Sequence, residues 1–426
     1  MQSPNSREQL KADIRDARDQ LTDLAASLIR VPSENPPGDT TALVAMIETF
    51  LGGEPCLISR RVTAKPPIVN LVVKLKGNRP GRRLIFNGHL DTFPVGDASG
   101  WSRSPLGGEI IDGRLYGRGS SDMKAGLAVG LMMLKLLAKY RAELVGELVL
   151  ALVGDEETGG TWGTRHLLTN DVDGRSDAMI SADAGSPSVV RFGEKGQLWL
   201  EITARGRGAH GAHVHLGDNA IERLMGVLAR LTDLRQLHCP VPADIRAAVK
   251  AASSQSEAVS GAGETAILLS VTVNVGTISG GTSVNIVPEH AKACVDVRFP
   301  PGLTVADVVA AARSLLKDHP NVALDVLSST EPNWTEPNAE IVAIVAGNAQ
   351  VVLGREPARN MRPGFSDARF YRLAGIPSVV YGLTPHGMGG SDEYVTLSDL
   401  HTVFEVHTLT AYDYLRAAGE AKRHAQ

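Results

Sequence analysis

Long apolar runs, aromatic side chains and cysteines are all scarce in this chain, and each shortage removes a class of function. No stretch of about 18 apolar residues occurs, so no membrane-spanning helix is expected. Phe, Trp and Tyr make up 4% of the 426 residues, which leaves little for stacking against nucleic-acid bases. Neither sign of charge dominates. The 43 Lys and Arg meet 47 Asp and Glu, and the net charge of −4 is spread without a basic stripe that would draw nucleic acid or an anionic membrane. Cys56, Cys239 and Cys294 are far apart and odd in number, so they make neither a disulfide framework nor a thiolate metal site. The polar start, Met1 to Gln9, lacks the apolar core of a signal peptide. A cytoplasmic protein is the simplest expectation.

Hydrophobic residues reach 43%, enough for a large core. Helix-like and strand-like patterns alternate from about Ser6 to Val190. Leu10 to Ile29 and Met123 to Tyr140 read as helices, the second nearly free of polar residues and so well buried. Ile68 to Leu75, Leu84 to Phe86, Glu147 to Val153 and Ala178 to Ser181 read as strands. The texture changes at Gly196, where a βα, ββ, αβ order suits a small α+β unit. Ala266 to Val275 reads there as a strand, and Ser253 to Gly263 as a mobile loop. After about Glu331 the first pattern returns. The expected architecture is an α/β/α domain with a mixed sheet, residues 1–193 and 331–426, interrupted by an α+β insert, residues 194–330.

Several acidic groups and one histidine follow the strand-like runs. His89 and Asp91 come after Leu84–Gly88, Glu156 and Glu157 after Leu148–Val153, and Asp183 after Ala178–Ser181. Asp122 follows the turn Gly117-Arg118-Gly119-Ser120-Ser121. In an open α/β sheet, ligands gather at the carboxyl ends of the strands. That much negative charge on one edge calls for a cation. A divalent ion with a carboxylate base beside it is a hydrolytic site. Taken singly, His-x-Asp is a surface loop, Glu-Glu a helix start and Asp122 an N-cap. Their convergence favours the chemical reading.

With these residues placed, the chain resembles the co-catalytic metallopeptidase family of aminoacylases, acetylornithine deacetylase, succinyl-diaminopimelate desuccinylase and glutamate carboxypeptidase. The likeness runs through Val31–Gly38, Gly88–Thr92, Gly117–Lys124, Asp155–Glu157, Gly206–Ile221, Asn285–Pro288 and Ser366–Arg369. It implies His89, Asp122, Glu157 and Asp183 as metal ligands, with Asp122 bridging two ions. It implies Asp91 as the carboxylate orienting the His89 ring, and Glu156 as the general base. In the insert, dimerising in this family and ferredoxin-like, it implies His210 as a donor to the oxyanion in the partner subunit's site. Asn285 and Arg298 would hold a substrate carboxylate, for which the planar fork of Arg is suited. A homodimer or larger homo-oligomer follows, because His210 serves only if it reaches a partner. The ion would be Zn, Mn or Co, one or two per subunit.

The resemblance breaks near the C-terminus. Relatives carry a histidine four residues before the glutamate of an Asp/Asn-Glu-Tyr motif, as a ligand of the second ion. Here the motif is Asp392-Glu393-Tyr394 and that position is Gly389. His386 could ligate from the glycine-rich loop, bind substrate or transfer a proton, or the second site could be incomplete. The incomplete site is the favoured reading. The expected activity is metal-dependent hydrolysis of a C–N bond in a small carboxylate, such as an N-acyl amino acid or dipeptide-like amide, by metal-activated water. An alternative is hydrolytic deamination of an aromatic amine, as in the family's 5-nitroanthranilate aminohydrolase branch. Another is a non-catalytic binding protein on the same fold, against which the intact Glu156 argues.

Overall fold

The computed structural model describes residues 6–420. The first five residues of the polar start and the last six of the C-terminal segment lie outside it. Two compact units are present. One comprises the chain up to Phe192, Trp334–Asn360 and the chain from Ser366; the other comprises Gly193–Asn333 and Met361–Phe365.

The first unit is built on a mixed sheet. Its strands Leu57–Lys65, Ile68–Lys76, Val145–Val153, Arg79–His89, Ala178–Ser181 and Ser378–Val380 lie side by side in that order. The last four run parallel to one another, and the first two are antiparallel additions. The parallel strands are covered on both faces, which explains their near-continuous apolar sequence. Ile85, Val149, Ala151, Val153 and Met179 face one layer, packing with Leu167, Leu168, Ala368 and Tyr371 from the helices Thr164–Asn170 and Ala368–Leu373. The opposite layer includes the helices Ala125–Lys139 and Leu397–Glu420. Ala125–Lys139 is apolar nearly all round and buried nearly throughout.

The second unit is an antiparallel sheet in the order Thr272–Gly280, His290–Phe299, Gly196–Arg205, Val322–Thr330. With the helices Ala220–Leu231 and Val305–Leu316 the chain order is βαββαβ, the expected ferredoxin-like α+β arrangement. Alternation is clean here: Leu198, Leu200, Ile202 and Ala204 join the core, whereas Trp199 is exposed.

Three sequence expectations are corrected. The N-terminal pattern forms two helices, Ser6–Asp16 and Arg18–Ile29. Ser253–Ser260 is a helix rather than a mobile loop, and Ala266–Leu268 belongs to a further short helix, Glu264–Leu268, so the strand starts at Thr272. Polar contacts, which leave no apolar period, hold this region. The buried Ser256 hydroxyl donates to Glu264, and Glu257 accepts from the backbone N–H of Gly263 and Thr265, both at 3.1 Å. Among the described residues no helix is long and apolar enough to cross a membrane. The three cysteines are unpaired.

Candidate metal centre

Strand register assembles the site within the first unit. His89 pairs with Val153, and Phe86 pairs with Ile180. The parallel strands therefore end on one edge, with His89, Glu156, Glu157 and Asp183 at or just past their carboxyl ends. Asp122 reaches the same edge from the turn before Ala125–Lys139. It is not an N-cap: its backbone is non-helical, with φ −136° and ψ 90°, and the helix begins two residues beyond Met123. Gly119 makes the turn feasible, since φ is +80° and a Cβ would lie 2.7 Å from Thr92.

Donor atoms of His89, Asp122 and Asp183 lie within 4.8 Å of one another, and no other such group of three is present among the described residues. The His89 ring is fixed by its Nδ1–H, which donates to the backbone carbonyl of Asp91 at 2.8 Å. Its Nε2 faces Asp122 Oδ1 at 2.8 Å. The Asp91 carboxylate is 3.6 Å from the ring, so it is the backbone of Asp91 that orients His89. The carboxylate instead accepts from the backbone N–H of Glu156 at 3.3 Å and Glu157 at 3.2 Å, and from Asn35 Nδ2 at 2.9 Å. It thus pins the single helical turn that carries both glutamates. Asp155, just before that turn, is left-handed at φ +82°. Its carboxylate accepts from Trp162 N and from the Thr158 hydroxyl, and these bonds hold the unfavourable backbone.

The electrostatics point to a missing positive charge. Burial, then repulsion from Asp122, pushes Glu157 up to about 10, and its buried Oε1 has no hydrogen-bond partner. Burial pushes Glu156 up to about 7, opposed by His89 and Arg369 and assisted by Asp367. Burial pushes Asp367 to about 6 against the pull of Arg369. Burial disfavours a charge on His89, but its bonds to Asp122 and Asp91 outweigh this and lift it well above the usual histidine range. Crowded carboxylates that hold protons, an orphaned acceptor and an imidazole nitrogen on one spot fit a divalent ion. His89, Asp122 and Asp183 would hold it, with Glu157 in reach as a further carboxylate. An imidazole and carboxylate donor set suits Zn, Mn or Co.

Gly126 sets the spacing of two of these groups. A Cβ there would come within 2.4 Å of the Ala182 carbonyl oxygen, next to Asp183. Gly126→Ala is therefore expected to part the Asp122 and Asp183 segments. Overpacking of this kind costs about 1–3 kcal/mol, and metal affinity should fall with it. Denaturant unfolding and metal titration of the variant check both.

The remaining sequence candidates are divided between the two units. In the second unit, His210 and Asn285 are neighbours: His210 pairs with Ile286, and Gly211 N donates to Asn285 O at 2.7 Å. His210 Nδ1 accepts from Ala212 N at 3.1 Å, which leaves the proton on Nε2 as an outward donor. Arg298 Nε donates to Asp296 at 2.8 Å, and its guanidinium lies 4.4 Å over the Phe365 ring. His386 is stacked flat on Tyr394, with centroids 4.4 Å apart and planes 4° apart, and its carbonyl accepts from Tyr394 N. Arg369 and Asp367, to which the sequence alone assigns no role, stand beside Glu156. Arg369 Nη1 lies 3.5 Å from Glu156 Oε1, and Asp367 accepts from Thr164 Oγ1 at 2.7 Å. Their signal was a conspicuous Ser-Asp-Ala-Arg string whose polar side chains are all buried.

Residues 85–413 match the peptidase family M20/M25/M40. The chain is similar to the succinyl-diaminopimelate desuccinylase of Methylorubrum extorquens, 30% identical over 406 residues, covering 91% of this chain and 98% of that protein. It is 31% identical to the succinyl-diaminopimelate desuccinylase of Methylorubrum populi over 399 residues, 90% of this chain and 95% of that protein. Among solved structures, the fold is shared with the M20 family metallo-carboxypeptidase Sso-CP2 of Sulfolobus solfataricus, at a TM-score of 0.75 and 21% identity, covering 92% and 98% of the two chains. The di-peptidase Dug1p of Saccharomyces cerevisiae gives a TM-score of 0.76 at 14% identity, covering 97% and 99%. With 329 of its residues matched to one family and such relatives along nearly its whole length, the chain belongs to the peptidase family M20/M25/M40 and is a metal-dependent hydrolase of C–N bonds.

Proposed function

We propose that this enzyme hydrolyses the amide of a small N-acyl amino acid or dipeptide-like carboxylate, with Glu156 as general base. The observation that carries the reading is the placement of Glu156, half-buried, lifted to about 7 and within electrostatic reach of His89 and Asp122 in the convergent group His89, Asp122 and Asp183. A divalent ion at those ligands would polarise the scissile carbonyl and acidify an attacking water. Glu156 takes the proton of that water and returns it to the leaving nitrogen. A carboxylate placed beside the ion can do both, accepting the proton of the water and passing it on as the nitrogen leaves. Asp91 keeps Glu156 in place through the backbone, and the Arg369 guanidinium lies 3.5 Å from its carboxylate.

The relatives named desuccinylases, at 30–31% identity, support an N-acyl amino acid. Tight loading of one ion, with a second held weakly by Glu157 and Asp122, is the reading that the stacking of His386 on Tyr394 and the glycine at 389 support. Asn285, and His210 with its Nε2 proton, are assigned to the substrate carboxylate and the oxyanion in a homodimer.

Metal-loaded protein given a panel of N-acyl amino acids, dipeptides and aminobenzoates provides the test, with products read by mass spectrometry. Release of a free amine and a carboxylic acid is expected, most rapidly from an N-acyl amino acid. Ammonia release from an aminobenzoate with its carbon skeleton intact would overturn the reading in favour of deamination.

A further inference from the structure

The Asp392-Glu393-Tyr394 segment supplies none of the three clustered donors, yet its glutamate is among the most thoroughly engaged side chains near the site. Glu393 is 1% exposed. Its Oε1 accepts from Ser121 N at 2.9 Å and Ser121 Oγ at 2.8 Å, and lies 3.4 Å from the N–H of Asp122 itself. Its Oε2 accepts from Arg118 Nη1 at 2.5 Å. Arg118 is equally buried. Its Nη2 donates to the carbonyls of Gly389 at 3.2 Å and Gly390 at 3.1 Å. The Glu393 carbonyl accepts from Gly117 N at 2.9 Å. Both ends of the Gly117–Asp122 turn are therefore tied to one residue more than 270 positions away.

That turn needs such a tie. Asp122 and Met123 have non-helical backbone between a left-handed glycine and a helix, and the one bond spanning them, Lys124 N to Gly119 O at 2.6 Å, does not involve Asp122, so no regular α-helical ladder fixes its direction. We infer that Arg118 and Glu393 are positioning residues for the metal ligand Asp122, and that through them the glycine-rich Gly387–Gly390 loop and the ligand shift as one body. This rests on the metal-site reading above. A carboxylate uses two oxygens here, one toward the turn and one toward Arg118. An amide has only one acceptor, so Glu393→Gln must release one side. Outer partners of metal ligands typically change affinity by about 10–100-fold.

The test is a titration of metal-depleted protein with Co(II) in competition with a chelator, with the visible bands of the bound ion recorded well below the melting temperature. Glu393→Gln is expected to weaken Co(II) binding about 10–100-fold and to alter the bands. A purely structural pair would lower the melting temperature and leave the affinity and bands of the folded protein unchanged, which would overturn the inference. Ser121→Ala removes one bond to Glu393 and leaves Arg118 paired. It is expected to shift affinity in the same direction by less, and it decides the matter if Glu393→Gln does not fold. Failure of the wild-type protein to bind Co(II) would sink the metal-site reading, and the inference with it, and so is distinguishable from an unchanged variant.

Discussion

Glu156→Gln is expected to lower kcat about 10²–10⁴-fold, the range for losing a positioned acid–base group, with KM little changed and metal content retained. The amide keeps the size of the side chain but cannot take a proton. The ligands are untouched, because Glu156 is held by Asp91 through the backbone, and a glutamine has the same N–H. The contact with Arg369 is weakened, since a guanidinium 3.5 Å away loses its charged partner, so a modest fall in stability accompanies the loss. Arg369 has other anchors, the carbonyls of Ser366 at 2.9 Å and Gly159 at 3.2 Å, and these keep it in place. Steady-state kinetics beside metal analysis of the same preparation checks the outcome. A variant that keeps more than a tenth of wild-type turnover would remove Glu156 from the base role.

Stripping the divalent ion with a chelator is expected to abolish hydrolysis and to make the protein take up protons near neutral pH. Without the ion, Glu157 is held up to about 10, and His89 is raised well above its usual range. Glu157 carries its proton at pH 8 in the metal-free protein, His89 is shifted toward its protonated form, and ligands must shed protons to bind an ion. The sign follows from this: ion binding releases protons, so affinity falls as pH is lowered from about 8 toward 6. The ion also stabilises the fold. At a hundred times its dissociation constant it contributes about 2.7 kcal/mol. Calorimetric titration in two buffers of different ionisation enthalpy counts the protons, and thermal unfolding with and without the ion reads the stabilisation. Binding without proton release would show that the crowded carboxylates are already ionised and compensated by other groups.

The parts of the fold that announced themselves in sequence were those governed by burial. The parallel strands are apolar on both faces, so Leu84–Phe86 and Leu148–Val153 read directly, and with them the strand ends that carry His89, Glu156 and Asp183. The insert was legible because its strand residues alternate, as in Leu198 to Thr203. Segments held by side-chain to backbone hydrogen bonds were not legible. The Ser253–Ser260 helix depends on Ser256, Glu257 and Glu264, whose composition looks like a loop. The same limit applies in the site. That the Asp91 carboxylate accepts from the backbone N–H of Glu156 and Glu157 while its carbonyl accepts from the His89 ring depends on differences of a few tenths of an ångström. That Glu393 reaches Asp122 depends on a contact across most of the chain. Arg369 stood in a recognisable string, but only folding brings it to Glu156.

The most direct test of the account is a crystal structure of protein loaded with Zn, with anomalous scattering recorded at the zinc edge. The account predicts a strong peak enclosed by His89 Nε2 and the carboxylates of Asp122 and Asp183, with any second peak weaker and displaced toward Glu157. A peak coordinated by His386, or none at His89, would contradict it.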